Sequence, residues 1–276
     1  MKPISEQTIL ITGSTDGLGR ATARELAALG ATVLIHGRNR ERLEQSRAEI
    51  IDVTGNRNIK GYLADLSELA QVRRLAEDVG AKNQRLDMLI NNAGIGAGNV
   101  KKPRRELSAD GVELRFAVNY LAPFLLTRLL LPRLKASAPA RIINVSSVGQ
   151  FPIDFDDVML ETHYDPVNAY RQSKLAQIMF TIDLAAELEG TGITVNALHP
   201  SSLMDTKMVF EWFGHALSTV GDGVEALMNM ATSPEFDTIS GAYYDRKEQA
   251  RANLQAYDRV ARAQLRKLSE ELVGID

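Results

Sequence analysis

No cysteine occurs among the 276 residues. Disulfides, zinc ribbons and thiol nucleophiles are excluded together, and the composition fits a reducing compartment. An excess of one charge is missing too. The 32 basic residues face 35 acidic ones, and a formal net charge of −3 makes no general field for nucleic acid or anionic lipid. Long hydrophobic runs are absent. The most apolar stretch, 121–131, is interrupted by Arg128 and falls short of the roughly 20 residues a bilayer span needs. The N-terminus carries no apolar leader and runs straight into Thr8-Ile9-Leu10-Ile11, so no signal peptide is expected. The four histidines, His36, His163, His199 and His215, have no metal-ligand spacing, and no metal is expected. The basic run Lys101-Lys102-Pro103-Arg104-Arg105 stands alone in a slightly acidic chain and reads as a solvated loop. These absences predict a soluble, cytoplasmic protein with no membrane span and no nucleic-acid partner.

At 45% hydrophobic and 24% charged residues, the chain has enough apolar material to bury a core. Short β-branched runs alternate with segments whose apolar residues recur three and four apart. The runs Thr8–Thr12, Thr32–His36, Ile59–Ala64, Leu86–Asn91, Arg141–Ser146, Ile193–Leu198 and Gly241–Tyr244 read as strands. Helical periodicity covers Leu18–Leu29, Glu41–Ile51, Leu69–Lys82, Gly111–Leu134, Val167–Glu189 and Gly223–Ala231, with a charged amphipathic helix at Glu248–Leu272. Strands without polar alternation are buried on both faces, and right-handed crossovers make them parallel. The expected fold is therefore α/β: a single-domain Rossmann fold whose doubly wound parallel sheet has about seven strands, with helices on both faces. No linker or internal repeat divides the chain. Residues 8–100 read as mainly the cofactor-binding half, 101–245 as the catalytic half with a lid at 201–220, and 246–276 as the C-terminal helix.

Between the first strand and first helix lies Thr12-Gly13-Ser14-Thr15-Asp16-Gly17-Leu18-Gly19. Glycines there permit a tight turn and a close approach of backbone to a diphosphate, which the free N–H groups of the helix start would face. A dinucleotide is the expected ligand, although G-x-x-x-G-x-G differs from the commoner glycine spacing. The second strand ends at Ile35-His36-Gly37-Arg38. A carboxylate near this point would select NAD; Gly37 leaves that position bare and Arg38 offers a guanidinium suited to a 2′-phosphate. NADP (NADPH) is therefore the preferred cofactor, with NAD possible. Asp65-Leu66 after the third strand could flank adenine, and Asn91-Asn92-Ala93-Gly94 after the fourth allows close approach of the cofactor.

Tyr170-Arg171-Gln172-Ser173-Lys174 puts a phenol and an ammonium one helical turn apart. A lysine about 5 Å away, in an effective dielectric near 20, would favour phenolate by roughly 3 kcal/mol, about two pKa units. The preceding strand ends in Ser146-Ser147, so a hydroxyl waits at the same sheet edge.

With these residues the chain resembles the short-chain dehydrogenase/reductase family across roughly 8–245: Thr12-Gly13…Gly17…Gly19, Asp65, Asn91-Asn92-Ala93-Gly94, Asn119, Ser147 and Tyr170…Lys174 stand in family order. Asp110-Gly111, Val118-Asn119-Tyr120, Phe124-Leu125-Leu126-Thr127 and the long spacing from Ser147 to Tyr170 look like its retinol-dehydrogenase-like branch. The resemblance implies Tyr170 as general acid/base, Ser147 as hydrogen-bond donor to the substrate oxygen, Lys174 as ribose-binding residue that lowers the tyrosine pKa, and Asn119 as holder of a relay water. It also implies cofactor contacts from Gly13, Ser14, Thr15, Asp16, Gly17, Leu18, Gly19, Arg38, Asp65, Leu66, Asn92, Ala93, Gly94, Tyr170, Lys174, Pro200 and Ser202. One departure stands out. Where the family usually has Pro-Gly, this chain has Pro200-Ser201-Ser202, and the nicotinamide turn should follow a different path with side chains replacing backbone contacts.

The segment 201–219 that follows is rich in large apolar groups, Leu203, Met204, Met208, Val209, Phe210, Trp212 and Phe213, and suggests a lid over an apolar substrate. The expected activity is NADP(H)-dependent hydride transfer between nicotinamide and a carbonyl or alcohol, in the direction of reduction of an apolar aldehyde or ketone. The alternatives are an NAD-dependent alcohol dehydrogenase and a non-catalytic dinucleotide-binding redox sensor. The family further suggests a homo-oligomer, dimer or tetramer.

Overall fold

The computed structural model describes residues 1–100, 102–206, 209–210, 212 and 214–275. Lys101 of the basic run and Met208 and Phe213 of the apolar segment lie outside the described residues. In chain order the elements are β1 Thr8–Ile11, α1 Gly17–Ala28, β2 Thr32–Gly37, α2 Arg40–Thr54, β3 Ile59–Leu63, α3 Leu69–Lys82 and β4 Met88–Asn91. Then come α4 Leu114–Phe116, a π-helical turn Ala117–Leu121, α5 Ala122–Ser137, β5 Ala140–Val145, α6 Pro166–Glu187 and β6 Ile193–His199. The chain closes with α7 Val220–Thr232, β7 Tyr243–Asp245, β8 Glu248–Ala250 and α8 Arg259–Val273.

Among the described residues the strands form one eight-stranded sheet in the order β3-β2-β1-β4-β5-β6-β7-β8. Pairing is parallel from β3 through β7. The order reverses between β1 and β4, where open α/β sheets form a crevice beyond the strand ends. Successive strand residues face opposite sides of the sheet. Ile9, Ile11, Val33 and Ile35 pack beneath α1, α2 and α7, whereas Leu10, Leu34, Leu89 and Ile142 pack against α3, α5, α6 and α8. Both layers are buried, as the unbroken apolar runs require.

One expectation needs correction at the C-terminal end. The sheet has eight strands, in line with the about seven expected, and the last of them, β8, pairs antiparallel with β7 through Tyr243↔Ala250 and Asp245↔Glu248. Consequently Glu248–Leu272 is not one helix: residues 248–250 are an edge strand and α8 begins at Arg259, where Asp258 caps the Val260 amide at 2.8 Å. Glu248 and Gln249 are exposed and carry no apolar signal; their strand conformation is imposed by the neighbouring β7.

The helical run Leu114–Ser137 is long and apolar enough to cross a membrane, by length and composition alone. However, 83% of its most apolar window is buried inside the fold, which is the environment of a core helix. Its π turn is the unexpected element. Such a turn inserts a residue into the helical ladder and re-aims the side chains around it, and here it carries Asn119.

Candidate active site

The ends of β1 and β4 are tied together by side chains. Thr12 Oγ1 accepts the amides of Asn92 and Ala93, each at 3.0 Å, and Asn92 Nδ2 donates to the carbonyls of Thr12 (2.9 Å) and Gly13 (3.1 Å). Close approach forces glycine at two positions. A Cβ on Gly13 would stand 2.7 Å from Ala93 Cα, and one on Gly19 would stand 2.3 Å from the Gly13 carbonyl oxygen. With the turn pressed this tightly onto β4, the first amides of α1, which have no intrahelical partner, face the crevice. Asp16 occupies one of those donors, since its carboxylate accepts the Gly17 amide at 2.7 Å. Ser14 is fully buried, so it serves the turn's interior: its hydroxyl donates to Ile11 O at 2.8 Å. Thr15 and Leu18 flank the same turn, Leu18 being buried beneath it.

Farther along the edge, Gly37 is required by packing, because a Cβ there would meet Thr15 Cγ2 at 2.5 Å. The next side chain, Arg38, is 69% exposed and lies 3.8 Å from the Asp65 carboxylate. An ion pair this exposed and loose contributes about 0–1 kcal/mol, so the guanidinium is available to a phosphate. Asp65 also accepts the Ser67 amide and hydroxyl, at 2.9 and 2.8 Å, which shapes the turn after β3. Leu66 is buried in the core layer below.

Across the crevice, Tyr170, Ser147, Lys174 and Asn119 converge. The Ser147 hydroxyl lies near the Tyr170 phenol, holding its proton affinity down, and accepts the Gly149 amide at 3.0 Å. Lys174 Nζ lies 5.9 Å from the Tyr170 ring centre and donates to Val145 O (2.9 Å) and Gln177 Oε1 (3.1 Å). Asn119, fully buried, takes both backbone groups of Ile95: Oδ1 accepts its amide at 2.8 Å, and Nδ2 donates to its carbonyl and to Ser173 Oγ, both at 3.0 Å. Between these groups sits Gly94. A Cβ there would come within 3.3 Å of Asn119 Oδ1 and 3.5 Å of Lys174 Nζ, so bare backbone keeps the space open.

The electrostatics differ from the expected pattern. Burial pushes the Tyr170 phenol above its ordinary range, opposed only by the nearby Ser147 hydroxyl. Burial also pushes Lys174 down to about 7. Desolvation of both groups therefore outweighs the lowering of the tyrosine that a fully charged neighbouring ammonium would produce.

The apolar segment is a stapled loop over this centre. Its stem closes where Met204 bridges Ser218, where the Ser201 hydroxyl donates to that of Ser218 at 2.9 Å, and where Asp205 accepts the Val220 amide at 2.5 Å. After buried Pro200, Ser202 Oγ lies 3.0 Å from His199 Nε2, so side chains hold the turn where the family usually has Pro-Gly. Leu203 adopts a left-handed φ of 50° at the start of the loop. Trp212 then reaches the centre: its ring meets Tyr170 edge-on at 5.2 Å and 76°.

The sequence matches the family described as short chain dehydrogenase over residues 7–215. The chain belongs to that family. Mouse retinol dehydrogenase 13 is 35% identical over 99% of this chain and 85% of its own length, and human retinol dehydrogenase 14 is 37% identical over 98% and 87%. The solved structure of Pseudomonas aeruginosa RhlG in an NADP active-site complex superposes with a TM-score of 0.71 at 26% identity, over 89% of this chain and 97% of that one. The family and its retinol-dehydrogenase-like branch thus agree with the resemblance read from the motifs. The protein is an oxidoreductase acting on CH–OH groups with a nicotinamide dinucleotide. The close-packed glycines, the helix start facing the crevice and the exposed guanidinium are chemistry that fits such a group.

In this short-chain dehydrogenase several contributors escaped the motif reading. Thr12 stood in the motif without a role of its own, yet its hydroxyl organises two amides of the opposite strand end. Gln150 donates to Ser147 O (3.0 Å) and accepts the Asn253 amide (2.7 Å), so the segment after β8 braces the loop that follows the serine. Trp212, the single tryptophan of the chain, was read only as part of an apolar stretch. Nothing in the sequence sets Gln150 apart from other loop glutamines, because its partner lies 103 residues away.

Proposed function

We propose that the protein is an NADP(H)-dependent carbonyl reductase for apolar aldehydes or ketones. The observation that carries this reading is the grouping of Tyr170 with Ser147 near it, Lys174 one turn along at 5.9 Å from the ring and the Trp212 ring against the phenol. When bound, the dinucleotide supplies or accepts a hydride at its nicotinamide ring. A substrate oxygen lodged between Tyr170 and Ser147 would accept a hydrogen bond from each. As that oxygen gains negative charge, Ser147 stabilises it and Tyr170 passes it a proton. Burial keeps the phenol protonated at neutral pH, and the protonated form is the one that reduction requires. Lys174, anchored on Val145 O, holds an amine beside the phenol and the open space at Gly94.

Arg38 supports NADPH over NADH, since no carboxylate occupies position 37 and the guanidinium is free to pair with a 2′-phosphate. The aromatic and aliphatic surface of the loop supports an apolar substrate. The name of these relatives, retinol dehydrogenase, favours a second reading, oxidation of an apolar alcohol at the same residues. A panel of aldehydes, ketones and alcohols followed by NADPH consumption or NADP reduction separates the two. Under either, Tyr170→Phe should retain dinucleotide binding and lower kcat by about a hundredfold or more. Unchanged turnover would remove Tyr170 from the reaction.

A further inference from the structure

His36 sits at the end of β2 with 3% of its surface exposed, and both ring nitrogens are engaged. Nδ1 accepts the Gly13 amide at 3.1 Å, and Nε2 meets the Ala64 carbonyl at 3.1 Å. A carbonyl can only accept, so the proton is on Nε2, and Nδ1 keeps the lone pair that the Gly13 N–H requires. The backbone of the same residue completes the clasp: His36 N donates to Ser14 Oγ at 2.8 Å, and its carbonyl accepts the Ser14 amide at 2.9 Å. One residue thus joins the phosphate-facing turn after β1 to the ends of β2 and β3, immediately before Arg38 and Asp65.

We propose that His36 is a positioning residue for the dinucleotide, a neutral imidazole strut that fixes the orientation of the Thr12–Gly13 peptide and thereby aims the remaining turn amides at the diphosphate. The geometry accounts for the choice of side chain. The Gly13 and Ser14 amides are both spent on His36, so an anion must be met by amides farther along the turn and at the start of α1. Their direction depends on how the first peptide is held. A hydrocarbon at position 36 would leave the Gly13 N–H and the Ala64 carbonyl unpaired in a buried place. A cationic ring would point a second N–H at the Gly13 donor. Burial holds the imidazole pKa down to about 4 against the opposing pull of the Asp65 carboxylate, the charged group beside it. That agrees with the single-proton form the hydrogen bonds demand.

This inference rests on the dinucleotide reading, and its test separates the two. Binding of NADPH and NADH is followed through the fluorescence of Trp212, with no substrate present. Wild-type protein that binds neither nucleotide would overturn the parent reading and this one with it. If wild type binds, His36→Leu should raise the NADPH Kd by about tenfold or more, while kcat at saturating NADPH stays within about twofold. His36→Gln, whose amide also offers an acceptor and a donor, should restore Kd to within about threefold of wild type. A folded Leu variant with unchanged Kd, or a Gln variant no better than Leu, refutes the strut. Nitrogen-15 spectra of the wild-type ring give a check that needs no variant to fold. The expected signature is a protonated Nε2, a bare Nδ1 and no titration down to pH 5. A proton on Nδ1, or a titration above pH 6, rejects the proposal.

Discussion

Replacing Asn119 is the sharpest test of how this site is held. Its amide pairs with Ile95 as a neighbouring strand would, taking both the N–H and the C=O, and donates to Ser173 as well. In Asn119→Leu, which keeps the branched shape, those two backbone groups lose their partners. Each unpaired buried group costs about 1–3 kcal/mol, which sums to roughly 2–6 kcal/mol. Ile95 is only half-buried, so water can reach part of this surface and the lower end, about 2 kcal/mol, is expected. Asn119→Asp should be worse. The Ser173 hydroxyl already donates to Tyr170 O at 2.7 Å, leaving its oxygen as an acceptor. A carboxylate would therefore set an acceptor against two acceptors, Ser173 Oγ and Ile95 O, in a place closed to solvent. Urea unfolding monitored by circular dichroism gives the stabilities, and NADPH titration gives the effect on the neighbouring cofactor edge. Two findings would refute the reasoning: an Asp variant as stable as wild type, or a Leu variant with unchanged midpoint and unchanged NADPH affinity.

Arg38→Ala should weaken NADPH by about tenfold to a hundredfold, the loss of charge-assisted hydrogen bonds, and leave NADH nearly unaffected; equal losses for both nucleotides would mean that Arg38 does not read the 2′-phosphate. Trp212→Ala should raise KM for apolar substrates by about two- to tenfold at constant NADPH Kd, because an edge-on aromatic contact contributes about 0.5–1.5 kcal/mol. Acid should destabilise the fold between about pH 6.5 and 4. His36 and His199 are both held down to about 4, so below 6.5 the unfolded chain binds protons that the folded one refuses, and stability is lost as pH falls. Each histidine accounts for at most about 3 kcal/mol over that window. Thermal melts across this range should show the fall, and His36→Gln should flatten it.

Much of the architecture was written in local pattern. Apolar runs such as Thr8-Ile9-Leu10-Ile11 are buried on both faces only in a sheet covered on both sides, and the glycines at 13 and 19 announce a turn that β4 presses against. Tyr170 and Lys174 are readable as a pair because one helical turn brings them together whatever the rest of the chain does. The same holds for Arg38, whose place at the end of β2 follows from strand alternation.

Local sequence could not show what depends on remote partners. Glu248–Ala250 carries helix-forming residues and becomes a strand because the open edge of β7 offers hydrogen bonds. The resemblance marked Asn119, but only the π turn shows that its side chain pairs with Ile95. His36 has no spacing that marks it, since its meaning lies in two backbone groups, Gly13 and Ala64, on other strand ends. The proton affinities of Tyr170 and Lys174 belong to the same class. Residue type and spacing put a phenol beside an amine, but the depth of burial, which packing alone fixes, decides that desolvation outweighs their mutual field.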